Sequence, residues 1–239
     1  MYLEFDNVSF SYSKTLALAG VSFGIEKGEI VGLIGANGAG KTTTILDIIR
    51  YLQPQSGKIS IDGINVAEIK NENFAVSYIA DSPVFYDELT LLEHLHFLKA
   101  LYPGNGLSIE GLIEKLELRE HLSKVPSALS KGTKQKLMIA LALLRNYELL
   151  IADEPFTGLD PKQISVFKQI LKDCKNEKKA VLISTHLLDM AEGICDRYIM
   201  LSQGRVIACG SKSQIINTRS LGNDSTLEQV YLSLIEREG

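Results

Sequence analysis

A chain of 239 residues fits one large domain or two small ones. With 45% hydrophobic and 23% charged residues it has the make-up of a globular protein with a sizeable core. A formal net charge of -4 excludes the basic footprint of a nucleic-acid binder. The three cysteines, Cys174, Cys195 and Cys209, form no CxxC pair and no His/Cys cluster, so reduced thiols are expected and a zinc site is not. No basic segment followed by an apolar one opens the sequence, so no signal peptide is expected. The longest apolar run, Leu137 to Leu144, is far short of the roughly 20 residues that span a bilayer, so any membrane role is expected to come through a partner.

In chain order, Leu3, Phe5, Val8 and Phe10 alternate with more polar neighbours, and Val21, Phe23 and Ile25 repeat the pattern. This predicts half-buried antiparallel strands. Ile30 to Ile34 is a compact apolar run of buried-strand type, and a helix is predicted from Lys41 to about Leu52, closed by Pro54 and Gly57. From Leu91 to about Leu122 the residues favour helix. Leu91, Leu92, Leu95, Leu98 and Leu101 form a stripe there, broken by Pro103-Gly104-Asn105-Gly106. A further helix is predicted from about Ser130 to Leu144. Leu149 to Ala152 and Ala180 to Ser184 read as buried parallel strands, each followed by a helix-like segment. Tyr198 to Leu201 and Val206 to Cys209 form a terminal hairpin, and Thr226 to about Ile235 an amphipathic helix. The division expected is an α/β core with an antiparallel β-subdomain (1–80 and 148–215), a helical insert (81–147) and a helical tail (216–239).

Between the Ile30–Ile34 strand and the next helix lies Gly35-Ala36-Asn37-Gly38-Ala39-Gly40-Lys41-Thr42, which satisfies G-x-x-x-x-G-K-[ST]. Its glycines let backbone N–H groups curl around phosphates without Cβ clashes, and the helix start adds a positive field. Lys41 is expected to reach the β- and γ-phosphates, Thr42 to offer its hydroxyl to Mg²⁺, and Thr43 to contact the α-phosphate. Leu149-Leu150-Ile151-Ala152-Asp153-Glu154 is an apolar strand ending in two carboxylates. In open parallel sheets ligands sit beyond the carboxyl ends of strands, which puts these acids beside the phosphate loop. Asp153 is then a Mg²⁺-holding residue and Glu154 the group that takes or orients the proton of the attacking water.

Further segments, in order, resemble the nucleotide-binding subunit of ABC transporters, nearest to ATPases of bacterial EcsA-type and ABC-2 exporters. Leu129-Ser130-Lys131-Gly132-Thr133 resembles the LSGGQ signature, and Phe156-Thr157-Gly158-Leu159-Asp160 resembles the D-loop. Ser184-Thr185-His186 resembles the switch histidine, Tyr12 the adenine-stacking aromatic, and Leu227-Glu228-Gln229-Val230-Tyr231 an exporter tail helix. The resemblance implies an ABC ATPase fold that binds and hydrolyses ATP with Mg²⁺. It implies that His186 holds the γ-phosphate, and that Ser130 and Gly132 close over the ATP of a second, identical subunit, with Asp160 at that junction. It also implies a transmembrane permease partner, export as the direction, and a place on the cytoplasmic face of the cell membrane. Read without the resemblance, His186 has the alternative of a core or capping residue, Tyr12 of strand packing and Ser130 of an N-cap.

Two departures stand out. Lys131 and Thr133 occupy signature positions where the family usually has Gly and Gln. Asp81, in Tyr78-Ile79-Ala80-Asp81-Ser82-Pro83, occupies the position of a glutamine that contacts Mg²⁺ and the attacking water. A carboxylate is a hard oxygen ligand, so Asp81 is read as Mg²⁺-linked; its charge beside Asp153 and Glu154 is expected to raise a carboxyl pKa. The alternative reading is a weakly hydrolytic, nucleotide-dependent regulatory switch. Val84-Phe85-Tyr86 and Leu89 either meet the transmembrane partner or pack the insert's core.

Overall fold

The computed structural model describes residues 1–104, 107–219 and 225–236. The Asn105-Gly106 half of the expected break, and 220–224 and 237–239 of the expected tail, lie outside the described residues. The strands are β1 (Leu3–Tyr12), β2 (Thr15–Ile25), β3 (Ile30–Ile34), β4 (Ser56–Ile61), β5 (Ile64–Asn65), β6 (Val76–Ile79), β7 (Leu149–Asp153), β8 (Ala180–Thr185), β9 (Arg197–Ser202) and β10 (Arg205–Gly210). The α-helices are α1 (Lys41–Ile48), α2 (Leu91–Leu101), α3 (Ile109–Lys115), α4 (Lys131–Leu143), α5 (Pro161–Asn176), α6 (Leu188–Ala191), α7 (Lys212–Arg219) and α8 (Leu227–Ile235).

Two sheets form. An antiparallel one has the order β2-β1-β4-β5, and a six-stranded one the order β10-β9-β3-β8-β7-β6. In the larger sheet β3, β6, β7, β8 and β9 pair parallel, with β10 antiparallel at the edge. The central strands are buried on both faces, and alternate residues serve different cores because side chains alternate across a strand. Leu150, Ala152, Val181 and Ile183 join one core with α2, α4 and α5. Leu149, Ile151, Ala180 and Leu182 join a second with the antiparallel sheet and α1. A third core is built from β3, β9 and the C-terminal helices, around Ile34, Met200, Val230 and Leu234.

The predicted strands and helices form close to their expected bounds, with three differences. Helix α1 stops at Ile48, four residues short of Leu52 and ahead of Pro54. The stop is Arg50, whose φ of 64° is left-handed, while Tyr51 N–H donates to the Leu46 carbonyl (2.9 Å) and Arg50 N–H to that of Asp47 (3.2 Å). That pair of bonds is a Schellman closure with arginine where glycine is usual. Arg50 is held there by bonds from its guanidinium to the Ile69 carbonyl (2.7 Å) and to Asn71 Oδ1 (2.9 Å). Second, Leu91 and Leu95 of the stripe are buried, but Leu101 at the helix end is exposed. Third, Val84 and Tyr86 are exposed, with the Tyr86 ring edge-on to Phe97, whereas Phe85 packs on the helical core, as the core-packing reading expects of that residue.

Candidate active site

The phosphate loop sits at the carboxyl end of β3 because Gly40 turns the chain into α1 at a φ of 108°, a conformation L side chains avoid. A Cβ at Gly40 would also lie 2.8 Å from Leu18 Cδ2 and 2.9 Å from the Ala17 carbonyl oxygen. Gly40 has no side chain to cap the helix, so the first-turn amides of α1 are left for a ligand. Lys41 Nζ is buried and donates to the Gly35 carbonyl (2.8 Å) and the Ala36 carbonyl (3.3 Å), and lies 3.6 Å from Glu154 Oε1.

Strand β7 delivers the two carboxylates to the same edge. Asp153 accepts hydrogen bonds from Thr42 Oγ1 (3.2 Å) and from the Ser184 hydroxyl. Burial pushes the Asp153 carboxyl above its ordinary range; the two hydroxyls oppose the shift, and the charges of Glu154 and Asp81 add to it. The expectation of a raised carboxyl pKa is met at Asp153, with desolvation the larger cause.

Glu154 leaves the strand with a left-handed φ of 46°, uncommon for a residue with a Cβ. Its carboxylate is gripped on several sides. Thr185 Oγ1 donates to Oε2 (3.0 Å), the His186 N–H donates to Oε1 (3.1 Å), and His186 Nδ1 lies 2.9 Å from Oε1. Ser184 and Thr185 at the end of the neighbouring strand β8, with His186 directly after it, therefore form a continuous bracket around both acids. In the sequence Ser184 and Thr185 stand only as the residues before His186; their side-chain roles follow from the register that places Asp153 opposite Ser184.

A cleft of about 370 Å³ runs between the loop and the antiparallel sheet, lined among others by Tyr12, Asn37, Gly38, Lys41, Thr42 and Thr43. Asp81, Asp153 and Glu154 line it too, so Asp81 faces the same space as the two expected site carboxylates. Tyr12 is 46% exposed and packs edge-on against Phe10, with ring centroids 4.9 Å apart, which leaves a face toward the cleft. Gly35, Ala36 and Ala39 belong to the loop but do not line the cleft. Ser130, Gly132 and Asp160 do not line it either. Ser130 caps α4, accepting from the Thr133 N–H (3.2 Å), and Asp160 caps α5, accepting from the Gln163 N–H (2.8 Å). Gly132 lies against the D-loop segment: a Cβ there would stand 2.9 Å from the Gly158 carbonyl oxygen.

Among the described residues no three His, Cys, Asp or Glu side chains converge closely enough to cage a metal unaided. The donors present suit Mg²⁺ nonetheless: they are hard oxygens, Thr42, Asp153 and Asp81, around an open cleft. Mg²⁺ keeps waters and is held by one or two carboxylates together with substrate phosphates.

A family model described as "ABC transporter" matches residues 18–157. The chain is 38% identical to the ABC-type transporter ATP-binding protein EcsA of Bacillus subtilis (strain 168), over 99% of this chain and 97% of that protein. It superposes with a TM-score of 0.90 on a solved ATP-binding subunit of an ABC transporter, 38% identical, covering 98% of this chain and 100% of that one. It also matches, at 25% identity and a TM-score of 0.76, an ATP-binding cassette solved as a dimer in a post-hydrolysis state with ADP and Pi, covering 87% of this chain and 98% of that one. The chain belongs to the ABC transporter family, as one of its ATP-binding, ATP-hydrolysing subunits.

Proposed function

We propose that two copies of this chain close around two ATP molecules and that their closure drives a separate transmembrane subunit on the cytoplasmic face of the membrane, in the direction of export. The observation that carries the reading is the gathering of Lys41, Thr42, Asp153 and Glu154 at one cleft, with His186 held on Glu154 just outside its lining and neither Ser130 nor Gly132 in contact with it. A signature that does not line its own chain's cleft suits a site completed by a second chain. The dimeric cassette with ADP and Pi supports the same arrangement.

In this reading Tyr12 stacks on the base, and the amides of the loop from Asn37 to Thr43 cradle the phosphates. Lys41 moves its ammonium from the loop carbonyls to the β- and γ-phosphates. Thr42, Asp153 and Asp81 hold Mg²⁺, which would neutralise charge developing on the phosphate oxygens. Glu154 accepts the proton of the water attacking the γ-phosphorus, the bond to the β–γ bridging oxygen breaks, and ADP and phosphate leave. His186, already in contact with Glu154, donates to the γ-phosphate and keeps the base aimed. The partner's copies of Ser130 and Gly132 close over the γ-phosphate, with Asp160 at the junction. Among the described residues no helix is long and apolar enough to cross a membrane, which fits a peripheral subunit. Residues 81–147 form the arm that meets the membrane partner, and exposed Val84 and Tyr86 lie on it.

The ATPase rate per chain across a range of protein concentrations tests this, with Glu154→Gln as the blank. A rate per chain that climbs with concentration supports a composite site of two identical chains. A flat, near-zero rate with intact ATP binding would instead favour the switch reading or a different ATPase partner.

A further inference from the structure

The phosphate loop is held from behind by the C-terminal helix. Tyr231 of α8 is buried, and its hydroxyl accepts a hydrogen bond from the Ala36 N–H (2.8 Å) while donating to the Leu201 carbonyl of β9 (3.2 Å). The Gly35 carbonyl and the Ala36 N–H belong to one peptide group. Lys41 Nζ holds that peptide by its oxygen (2.8 Å) and Tyr231 holds it by its N–H. The spot is tight: a Cβ at Gly35 would lie 2.8 Å from both Ala39 Cβ and the Leu201 carbonyl oxygen.

Helix α8 is well anchored for this task. Leu227, Val230 and Leu234 are buried beside Ile34, the residue just before the loop. The first turn of α8 is tied to the segment after the switch histidine, because Leu227 N–H donates to Glu192 Oε2 (3.0 Å). Glu228 of the same helix lines a cleft with His186 and Leu187. The helix thus touches the backs of both the phosphate loop and the switch segment.

We propose that Tyr231 is a positioning residue of the phosphate loop: through the Ala36 N–H it fixes the Gly35–Ala36 peptide, so that the C-terminal helix sets nucleotide affinity. The inference rests on the nucleotide-binding reading of the loop. When Lys41 turns to a phosphate it releases the Gly35 carbonyl, and Tyr231 keeps its hold on the same peptide from the N–H side. Without the hydroxyl, the part-buried Ala36 N–H and the buried Leu201 carbonyl lose their shared partner, and the loop gains freedom that nucleotide binding has to remove.

The test is Tyr231→Phe in the full chain, which keeps the ring in its core and removes the one oxygen. Equilibrium titration with ATP is expected to give a Kd about tenfold weaker than that of the unaltered chain. The KM for ATP should rise in parallel while kcat at saturation stays within about twofold, a split that general destabilisation does not produce. A Kd for Tyr231→Phe within about twofold of an ATP-binding unaltered chain overturns the proposal and leaves the nucleotide-binding reading standing. Failure of the unaltered chain to bind ATP overturns both. If Tyr231→Phe does not fold, Glu192→Ala takes its place, since it frees the start of α8 without touching the loop, with Lys212→Met as the control for the Glu192–Lys212 ion pair it also removes. ATP affinity weakened about threefold is then expected, and unchanged affinity overturns the proposal.

Discussion

Two helices of this protein begin at sites read from the sequence as phosphate-directed, and they begin in opposite ways. Helix α1 starts at Gly40 with no side-chain cap, its first-turn amides unclaimed by any cap residue. Helix α4 starts at Ser130, whose hydroxyl already accepts from the Thr133 N–H and shares a second hydrogen bond with the Thr133 hydroxyl (2.8 Å). An uncapped start offers its amides to whatever anion arrives, and that suits a site each chain fills for itself. A capped start is satisfied within its own chain, so in the proposed closure Ser130 would exchange an internal partner for an external one. Under the proposed function, ATP would settle on the phosphate loop first, and the signature of a second chain would close on it afterwards.

Breaking the first start should have the largest effect. Gly40→Ala forces a left-handed φ on a residue with a Cβ and drives that carbon into Ala17 and Leu18. Strain of roughly 1–3 kcal/mol at the loop converts to ATP binding weaker by about 5- to 150-fold, measured by calorimetric titration. Wild-type affinity in Gly40→Ala would mean that this backbone turn does not shape the site.

The next change sharpens the contrast. Ser130→Ala removes the cap of α4 and should lower stability by about 1 kcal/mol. ATP binding by the single chain should be unaltered, while ATP-dependent dimerisation of a Glu154→Gln background, read by light scattering, is reduced. Equal loss of both would show that the two helix starts are not separate steps.

Asp81→Asn probes the metal side of the first site. It removes a charge that helps raise the Asp153 carboxyl, and if Asp81 faces Mg²⁺ the Mg²⁺ concentration for half-maximal ATPase should rise several-fold, on the order of 1 kcal/mol. Superimposable Mg²⁺ curves for the two proteins would remove Asp81 from the metal site.

The smallest effect on ATP handling, with a change in stability instead, is expected at the far end of α1. Asp47 is buried, neither carboxylate oxygen has a hydrogen-bond partner among the described residues, and burial pushes its pKa up to about 6. The folded state therefore holds this proton more tightly than the unfolded chain. Its contribution to stability is full below the unfolded value of 3.8, falls as pH rises, and is gone above about 6. Asp47→Asn should abolish that slope, so the variant gains on the order of 2 kcal/mol over the parent at neutral pH and little at acid pH, read from urea midpoints. Parallel stability profiles for the two proteins would contradict the burial argument.

Much of this was legible because the signals are local. The glycine spacing before Lys41, the apolar run ending in Asp153-Glu154 and the Ser130 cap each lie within a few residues, and backbone geometry fixes what such runs do. The early end of α1 was not legible, since a left-handed Arg50 is stabilised by Ile69 and Asn71, which are distant in sequence. The same holds for Phe85 packing inward while Val84 and Tyr86 are exposed.

The sequence by itself determined the fold class, the phosphate loop and the pair of acids, because spacing along one strand or one helix start settles them. Only the tertiary structure decided that Ser184, Thr185 and His186 bracket those acids, because parallel pairing of β7 with β8 sets their register. Only it joined Tyr231 to Ala36, across 195 positions of chain. A backbone N–H facing packed side chains takes the acceptor that packing brings to it, and nothing in the loop's own sequence names that acceptor.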